Sequence, residues 1–172
     1  MARAREVPGF DCQEQFARAA ARVVEVRAAE VFEHSRGVLD LSEIERLHDM
    51  RVATRRLRAA MEVFEPCFPR KRFRKTLKKV KALADALGER RDRDVAIEFL
   101  EGLAGELPDP DRGALAALVE ALREEQRAAN EDLAPFLARK RLRKLRRRLA
   151  KLSAAARKAP AGGGGQAVGG AA

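Results

Sequence analysis

The chain has 172 residues, of which 46% are hydrophobic and 36% charged, and its formal net charge is +10. This length suits one domain, and the abundance of Ala, Leu, Glu, Lys and Arg favours an all-helical protein. The positive charge points to a polyanionic partner, namely nucleic acid, polyphosphate or an anionic membrane face. No apolar run approaches about 20 residues, so a membrane-spanning helix is excluded.

The amino-terminal sequence MARAREVPG lacks the apolar segment of a secretory signal. The two cysteines, Cys12 and Cys67, lie far apart and have no companion at metal-ligand spacing. These features predict reduced thiols in a cytoplasmic protein.

Apolar residues at spacings of three and four predict a first helix from about Asp11 to Arg36, ended by Gly37. Ser42 followed three residues later by Glu45 is typical of a capping box, which predicts the start of a second helix there. This helix is expected to end before Pro66, because the residue preceding a proline disfavours the α conformation.

A third helix is predicted over Arg70–Leu87, with Gly88 as the residue that ends it. A fourth follows over about Asp92–Gly105. A fifth helical pattern runs from near Asp111 to about Ser153, and Pro135 inside it should kink or break the helix.

Short connections between long amphipathic helices indicate antiparallel neighbours. The predicted fold is therefore all-α, an antiparallel helical bundle of four long helices plus a fifth, carboxy-terminal helix. The bundle is expected to occupy residues 10–153. Residues 154–172 are rich in Gly and Ala and are predicted to form a disordered tail.

Charge is divided into blocks of one sign. Residues 70–81 contain eight basic side chains and no acid, and residues 139–158 contain eleven basic side chains and no acid. Residues 92–132 hold twelve acids against four arginines. A single basic run is most often a solvated helix face, but blocks of like charge repel one another. Their recurrence favours an anion-binding site.

The sequence LHDMRVATRRLR, residues 47–58, sharpens this interpretation because its periodicity separates charge from apolar residues. At about 100° per residue, one narrow stripe contains His48, Arg51, Arg55 and Arg58. A second stripe on the third helix contains Arg70, Arg74, Lys78 and Lys81. If the two helices are antiparallel neighbours, both stripes line one groove of strongly positive potential.

Neither the histidine nor the nearby aspartates predict a metal centre. His34, the other histidine, is remote from His48, and the surrounding arginines would repel a cation. Near phosphate, the imidazole of His48 can donate a hydrogen bond. Asp92 and Asp94 in RRDRDV are too few oxygen ligands for a hard cation. Helix capping by Asp92 or ion pairing with the arginines is the favoured interpretation.

Known catalytic motifs are missing, and no cofactor is predicted. The sequence has no Walker loop, nucleophile elbow or zinc-hydrolase helix motif, so we expect a binding protein and no enzyme. Tyr and Trp are absent, which weakens the case for single-stranded nucleic acid or RNA, because these ligands stack on aromatic rings. Contact with a duplex backbone stays open.

LHDMRVATRRLRAAMEVF followed by LADALGERRDRDV resembles the CHAD family, the conserved histidine α-helical domain. The first block of the motif matches at His48, Arg51, Val52, Arg55, Arg56, Leu57 and Arg58. The second block matches at Leu87, Gly88, Arg91, Asp92, Asp94 and Val95. The resemblance covers about residues 10–152.

The resemblance implies an all-helical domain that binds inorganic polyphosphate in a basic groove or pore, in the cytoplasm and at polyphosphate granules. The motif assigns this binding to His48, Arg51, Arg55, Arg56 and Arg58. The second stripe and approximate family position add Arg74, Lys78, Lys81 and Arg141. Sequence-independent nucleic-acid binding is the alternative function. A phosphatase or kinase using Asp92 and Asp94 with Mg²⁺, and a helical adaptor for an acidic protein, are further alternatives.

This sequence departs from the family pattern in one respect. The family usually repeats its histidine-and-arginine helix in a second bundle, and no second HxxR block follows residue 152. The chain therefore resembles a half-length member. We expect a homodimer, in which a second copy supplies the missing bundle.

Overall fold

The computed structural model describes residues 3–9, 11, 14–105 and 108–158, which form five α-helices and no β-strand. The helices are α1 (Phe16–Glu33), α2 (Ile44–Val63), α3 (Arg70–Leu103), α4 (Asp109–Leu137) and α5 (Arg139–Arg157). A 3-10 turn, Glu65–Cys67, connects α2 to α3. The predicted all-helical bundle is confirmed, although several helix boundaries differ from those predicted.

The hydrophobic core lies between α1, α2, the first half of α3, the end of α4, and α5. Its α3 members lie between Phe73 and Leu87, and α4 contributes Leu133. Helix α1 packs against α2 and α5, and α2 also packs against α3. Helix α1 ends at Glu33, three residues before the predicted Arg36. Gly37, which was predicted to end this helix, lies in the turn that follows it with a φ of +69°, a conformation that glycine adopts easily because it has no Cβ.

The second half of α3 and the first half of α4 pair outside this core and form a projecting α3–α4 hairpin (residues 90–105 and 108–130). Ile97 and Val119 are buried there, apart from the main core. The Arg123 guanidinium is 2.6 Å from the Glu101 carboxylate, which ties the two helices together. The acidic block predicted from the sequence therefore lies largely on this hairpin.

The prediction that Gly88 ends a helix is wrong. Helix α3 continues through Gly88 to Leu103, so the predicted third and fourth helices are one. A glycine inside a helix costs about 1 kcal/mol relative to alanine, and packing against α4 offsets that cost. Arg90 and Asp94, four residues apart and both buried, pair along the helix just beyond the predicted break.

The capping box at the start of α2 is also wrong. Helix α2 begins at Ile44, with Glu43 at the capping position and no side-chain cap. The Ser42 hydroxyl instead donates to the Asp40 carboxylate at 2.6 Å, as does the Ser42 backbone N–H at 3.0 Å. The serine therefore stabilises the preceding turn, which removes it from the helix end.

The predicted break near Pro135 is present, but it lies three residues later, at Ala138. Helix α4 continues through Pro135 to Leu137, and the chain turns at Ala138, with φ −53° and ψ 130°, before α5 begins. Proline lacks the N–H that would bond the carbonyl four residues earlier, which weakens the last turn of α4. The helix consequently ends within a few residues.

The predicted boundary at residue 153 falls inside α5, which continues to Arg157 with Ala156 buried. The rest of the predicted tail, residues 159–172, lies outside the described residues, as does Cys12. Cys67 is a free, half-buried thiol, and burial raises the pKa of that thiol. None of the helices in the described part of the chain has the length and hydropathy needed to cross a lipid bilayer.

Candidate anion-binding site

Helix α2 directs its basic residues away from the core because its apolar residues fix its rotation. Leu47, Met50 and Leu57 are fully buried in the core. Residues on the remaining faces are left at the surface, where Arg55 is exposed and Arg51 is half-buried. The predicted separation of the basic stripe from the apolar side of α2 is present in the structure.

Three predicted residues, Arg55, Arg56 and Arg58, line one shallow depression on α2 of about 470 Å³. Val52, Ala59 and Glu62 complete its lining. Arginine presents several N–H donors in a planar fork, which suits phosphate oxygens. The depression therefore gathers three guanidinium groups on one helix.

Glu62 joins this depression to α3. One oxygen of its carboxylate accepts a hydrogen bond from Arg58 Nε at 3.2 Å and lies 2.9 Å from Lys81 Nζ. The hydrogen bond from Lys81 holds the pKa of the Glu62 carboxyl below its ordinary value, and Arg58 acts in the same direction. The structure thus brings the α2 and α3 stripes together at Arg58 and Lys81.

Glu62 was not predicted as part of the site, although the sequence contains a signal for it. Glu62 follows Arg58 by four residues, the spacing at which side chains meet on a helix. What could not be read from the sequence is the third partner, because Lys81 belongs to the neighbouring helix. An acid thus lies between two of the cations that were predicted to bind an anion.

The other predicted α3 residues lie on the outer surface of that helix. Phe73 and Val80 are fully buried, whereas Arg74 and Lys78 are exposed. Neither of these two cations forms an ion pair within the described part of the chain. The α2–α3 surface is defined by the basic residues of these two helices: His48, Arg51, Arg55, Arg56, Arg58, Arg74, Lys78 and Lys81.

Arg141 is placed elsewhere, in a second basic region where α3, α4 and α5 meet. Its guanidinium carbon lies 4.3 Å from the centre of the Phe136 ring, and both residues line a cleft of about 530 Å³. Lys79, Lys140, Lys144 and Arg148 also line this α4–α5 cleft. The structure therefore places Arg141 in a different depression from Arg55, Arg56 and Arg58.

The basic run that begins at residue 139 was predicted from the sequence, but its distribution over the faces of the helix was not. Lys140, Lys144 and Arg148 recur every four residues, which places them on one side of a helix. Lys79 precedes Lys140 by 61 residues, and only the packing of α3 against α5 brings it to the same cleft.

The two aspartates of RRDRDV have different environments. Asp92 is exposed in the middle of α3, so it caps no helix. Asp94 is buried, and its carboxylate accepts hydrogen bonds from Arg90 Nη1 at 3.0 Å and from Gln126 of α4 at 2.6 Å. Burial raises the pKa of Asp94 and lowers that of Arg90. This buried network fastens α4 to α3.

No group of three or more His, Cys, Asp or Glu side chains in residues 14–105 and 108–158 is arranged to hold a metal ion. Asp92 and Asp94, the two candidate metal ligands of a phosphatase or kinase, lie in different environments. Asp92 is exposed to solvent, whereas Asp94 is buried in the contact between α3 and α4. The chemistry offered by the described basic residues is hydrogen bonding and charge attraction toward anions.

The described residues form an all-α helical bundle that carries two clusters of basic side chains on its surface. The chain matches the CHAD domain model over residues 22–170, and it belongs to the CHAD domain family. No curated protein and no solved structure matches it.

Proposed function

We propose that this protein binds inorganic polyphosphate through the α2–α3 surface. The observation that carries the proposal is the meeting of two basic stripes from packed helices at Arg58 and Lys81. Family membership supports the same ligand. The chain as a whole has a formal net charge of +10, which adds long-range attraction for a polyanion.

The spacing of the arginines suits a linear polyanion. Arg51, Arg55 and Arg58 recur about once per turn, so their guanidinium groups repeat at intervals of about 5–6 Å along α2. Each guanidinium can bind phosphate oxygens with two parallel hydrogen bonds. A flexible phosphate chain therefore engages several arginines in succession, and each added phosphate unit contributes charge without requiring a new type of contact.

The Glu62 carboxylate competes with an anionic ligand for Arg58 and Lys81. This carboxylate already occupies donors of Arg58 and Lys81, so polyphosphate gains from these two cations only what remains after this ion pair is weakened or lost. In return, the ion pair holds the two side chains in place before the ligand arrives, which lowers the entropy cost of binding.

The test is a titration of polyphosphate with the Arg51→Ala/Arg55→Ala protein. Loss of two charge-assisted contacts should weaken binding about tenfold or more. The matched control is Arg18→Ala/Arg143→Ala, which removes the same charge from exposed positions on α1 and α5 that line neither basic surface. Equal binding by the two double variants would contradict the assignment of the α2–α3 surface.

Competition separates polyphosphate from the alternative, sequence-independent nucleic-acid binding. The depression on α2 has no aromatic lining residue on which a base could stack. Polyphosphate should therefore displace single-stranded RNA of equal total charge at physiological salt. It should also displace duplex DNA, because the stiff duplex cannot bend to follow a row of arginines on one helix. Preference for DNA at equal charge would replace the proposed ligand.

Binding without turnover is part of the proposal. Asp92 and Asp94 do not face a common site, so incubation of polyphosphate with Mg²⁺ and the protein should release no phosphate. Release that disappears in the Asp92→Asn protein would instead establish an enzyme. The homodimer and the association with granules stay predictions, which sedimentation velocity and co-sedimentation with granules will test.

A further inference from the structure

The α4–α5 cleft differs in chemistry from the surface assigned to polyphosphate. It lies at the turn between α4 and α5, with α3 forming its third side, and its volume of about 530 Å³ is in the range of small-molecule sites. Five basic side chains line it: Lys79, Lys140, Arg141, Lys144 and Arg148. The cleft thus encloses a region of high positive potential.

The cations of the cleft have no acidic neighbour in its lining. Within the described part of the chain, none of the five forms an ion pair. By contrast, Arg157 of the same helix α5 pairs with Glu25 of α1. Five like charges gathered without a counter-ion repel one another, and an anion bound among them would relieve this repulsion.

The floor of the cleft is apolar. Leu83 of α3 and Leu145 of α5 are buried core residues that reach it, and Pro135 and Phe136 come from the last turns of α4. Inorganic polyphosphate has no apolar atoms and gains nothing from this floor. A ligand that unites phosphate groups with an aromatic body satisfies both parts of the lining.

The Arg141 guanidinium lies over the Phe136 ring in the cleft, with its carbon 4.3 Å from the ring centre, and this stacked pair is called the Arg141–Phe136 surface. Guanidinium planes and aromatic rings are the groups on which nucleobases stack. The uncapped first turn of α5 begins at Arg139, beside the same lining residues, and adds a favourable dipole for phosphate.

We propose that the α4–α5 cleft binds a nucleoside polyphosphate, with its base over the Arg141–Phe136 surface and its phosphates among Lys79, Lys144 and Arg148. This site is separate from the α2–α3 surface and does not depend on polyphosphate binding there.

Isothermal titration with ATP, inorganic tripolyphosphate and adenosine tests the proposal on the full chain. ATP carries both the phosphates and the base, so it should bind about tenfold more tightly than either of the other two. Equal affinity for tripolyphosphate and ATP would overturn the proposal, because the apolar floor would then contribute nothing. Absence of ATP binding would overturn it as well.

Two variants and one control locate the site. Lys144→Glu/Arg148→Glu should weaken ATP binding about tenfold or more, whereas the matched control Arg143→Glu/Arg147→Glu, which reverses two exposed charges of the same helix outside the cleft lining, should change it less than about threefold. Phe136→Ala should weaken ATP binding and leave tripolyphosphate binding unchanged. Equal losses from Arg143→Glu/Arg147→Glu and Lys144→Glu/Arg148→Glu would overturn the assignment.

The Arg51→Ala/Arg55→Ala protein separates this proposal from the proposed function. It should keep its affinity for ATP and lose affinity for polyphosphate. If ATP binding is lost in this variant, the nucleotide occupies the α2–α3 surface and the cleft proposal fails. If polyphosphate binding is unchanged while the cleft variants lose ATP, the cleft proposal stands and the α2–α3 assignment fails.

Discussion

The α2–α3 surface and the α4–α5 cleft are built from the same basic residue types, yet their surroundings differ. In the first, Glu62 lies between Arg58 and Lys81 on an open face. In the second, five cations border an apolar floor without an acid. From this comparison we expect each basic surface to take its ligand selectivity from the residues around the cations, because charge alone attracts any polyanion.

The largest expected effect comes from breaking the buried contact of Asp94 with Gln126, which holds α4 against α3. Residues of α4 line the cleft, whereas the α2–α3 surface contains none. Asp94→Ala leaves the buried Arg90 without its partner. The free energy of unfolding, measured in urea, should fall by about 3–5 kcal/mol, and ATP affinity should fall more than polyphosphate affinity.

Asp92→Ala is the control for this change, since Asp92 is exposed two residues earlier on the same helix. It should alter the free energy of unfolding by no more than about 0.5 kcal/mol. Equal destabilisation by the two variants would show that the buried network does not hold α4. The milder Gln126→Ala variant tests the same contact from α4, because Gln126 donates to Asp94.

The next largest effect is expected in the salt dependence of binding, which should differ between the two surfaces. Polyphosphate binding releases condensed counter-ions, so raising NaCl from about 50 to about 200 mM should weaken it on the order of 100-fold if about five phosphates are contacted. ATP should lose less than about tenfold, because part of its affinity comes from apolar contact with the floor. Parallel salt slopes for the two ligands would remove the distinction.

An acid placed in the cleft should make it resemble the α2–α3 surface. Ala138 has the extended conformation of a helix N-cap and no capping side chain. Ala138→Asp should stabilise the protein by about 1 kcal/mol and weaken ATP binding about fivefold. Ala138→Ser supplies the cap without the charge, and it should stabilise equally while leaving ATP affinity unchanged. A loss of ATP affinity with serine would contradict a charge effect.

Removing the acid from the α2–α3 surface gives the smallest expected effect. Glu62→Gln frees Arg58 and Lys81 and should strengthen polyphosphate binding about threefold, since exposed ion pairs are weak. Because hydrogen bonding by Lys81 lowers the pKa of Glu62, its carboxylate stays ionised, and the gain should be equal at about pH 6 and about pH 8. Weaker binding would mean that Glu62 acts mainly by positioning the two cations.

Much of the first half of the fold was predictable from the sequence. In α1 and α2, apolar residues recur with helical spacing, and Gly37 and Pro66 stand close to the ends of these helices. In α3, the local signal at Gly88 indicated an end, whereas burial of Arg90 and Asp94 against α4 carried the helix onward. Tertiary packing of this kind overrides local propensity and leaves no trace in a short window.

The candidate sites follow the same division. The stripe on α2 was predictable because all its members belong to one helix, whose geometry fixes their relation. The cleft was not, because it combines Lys79 of α3, Phe136 of α4 and Lys144 of α5. The shape of the cleft depends on the turn of the chain at Ala138. Pro135 indicates that a turn is near, but it does not predict at which residue the turn occurs.

The segregation of charge between the bundle and the α3–α4 hairpin has a mechanical consequence. Residues 92–132 carry twelve acids and four arginines in a chain whose total is +10, so the molecule has a permanent dipole moment directed from the hairpin toward the bundle. The electric field of a long polyanion exerts a torque on this dipole. We expect this torque to turn the protein with its bundle toward the polyanion and its hairpin away from it before the first contact forms.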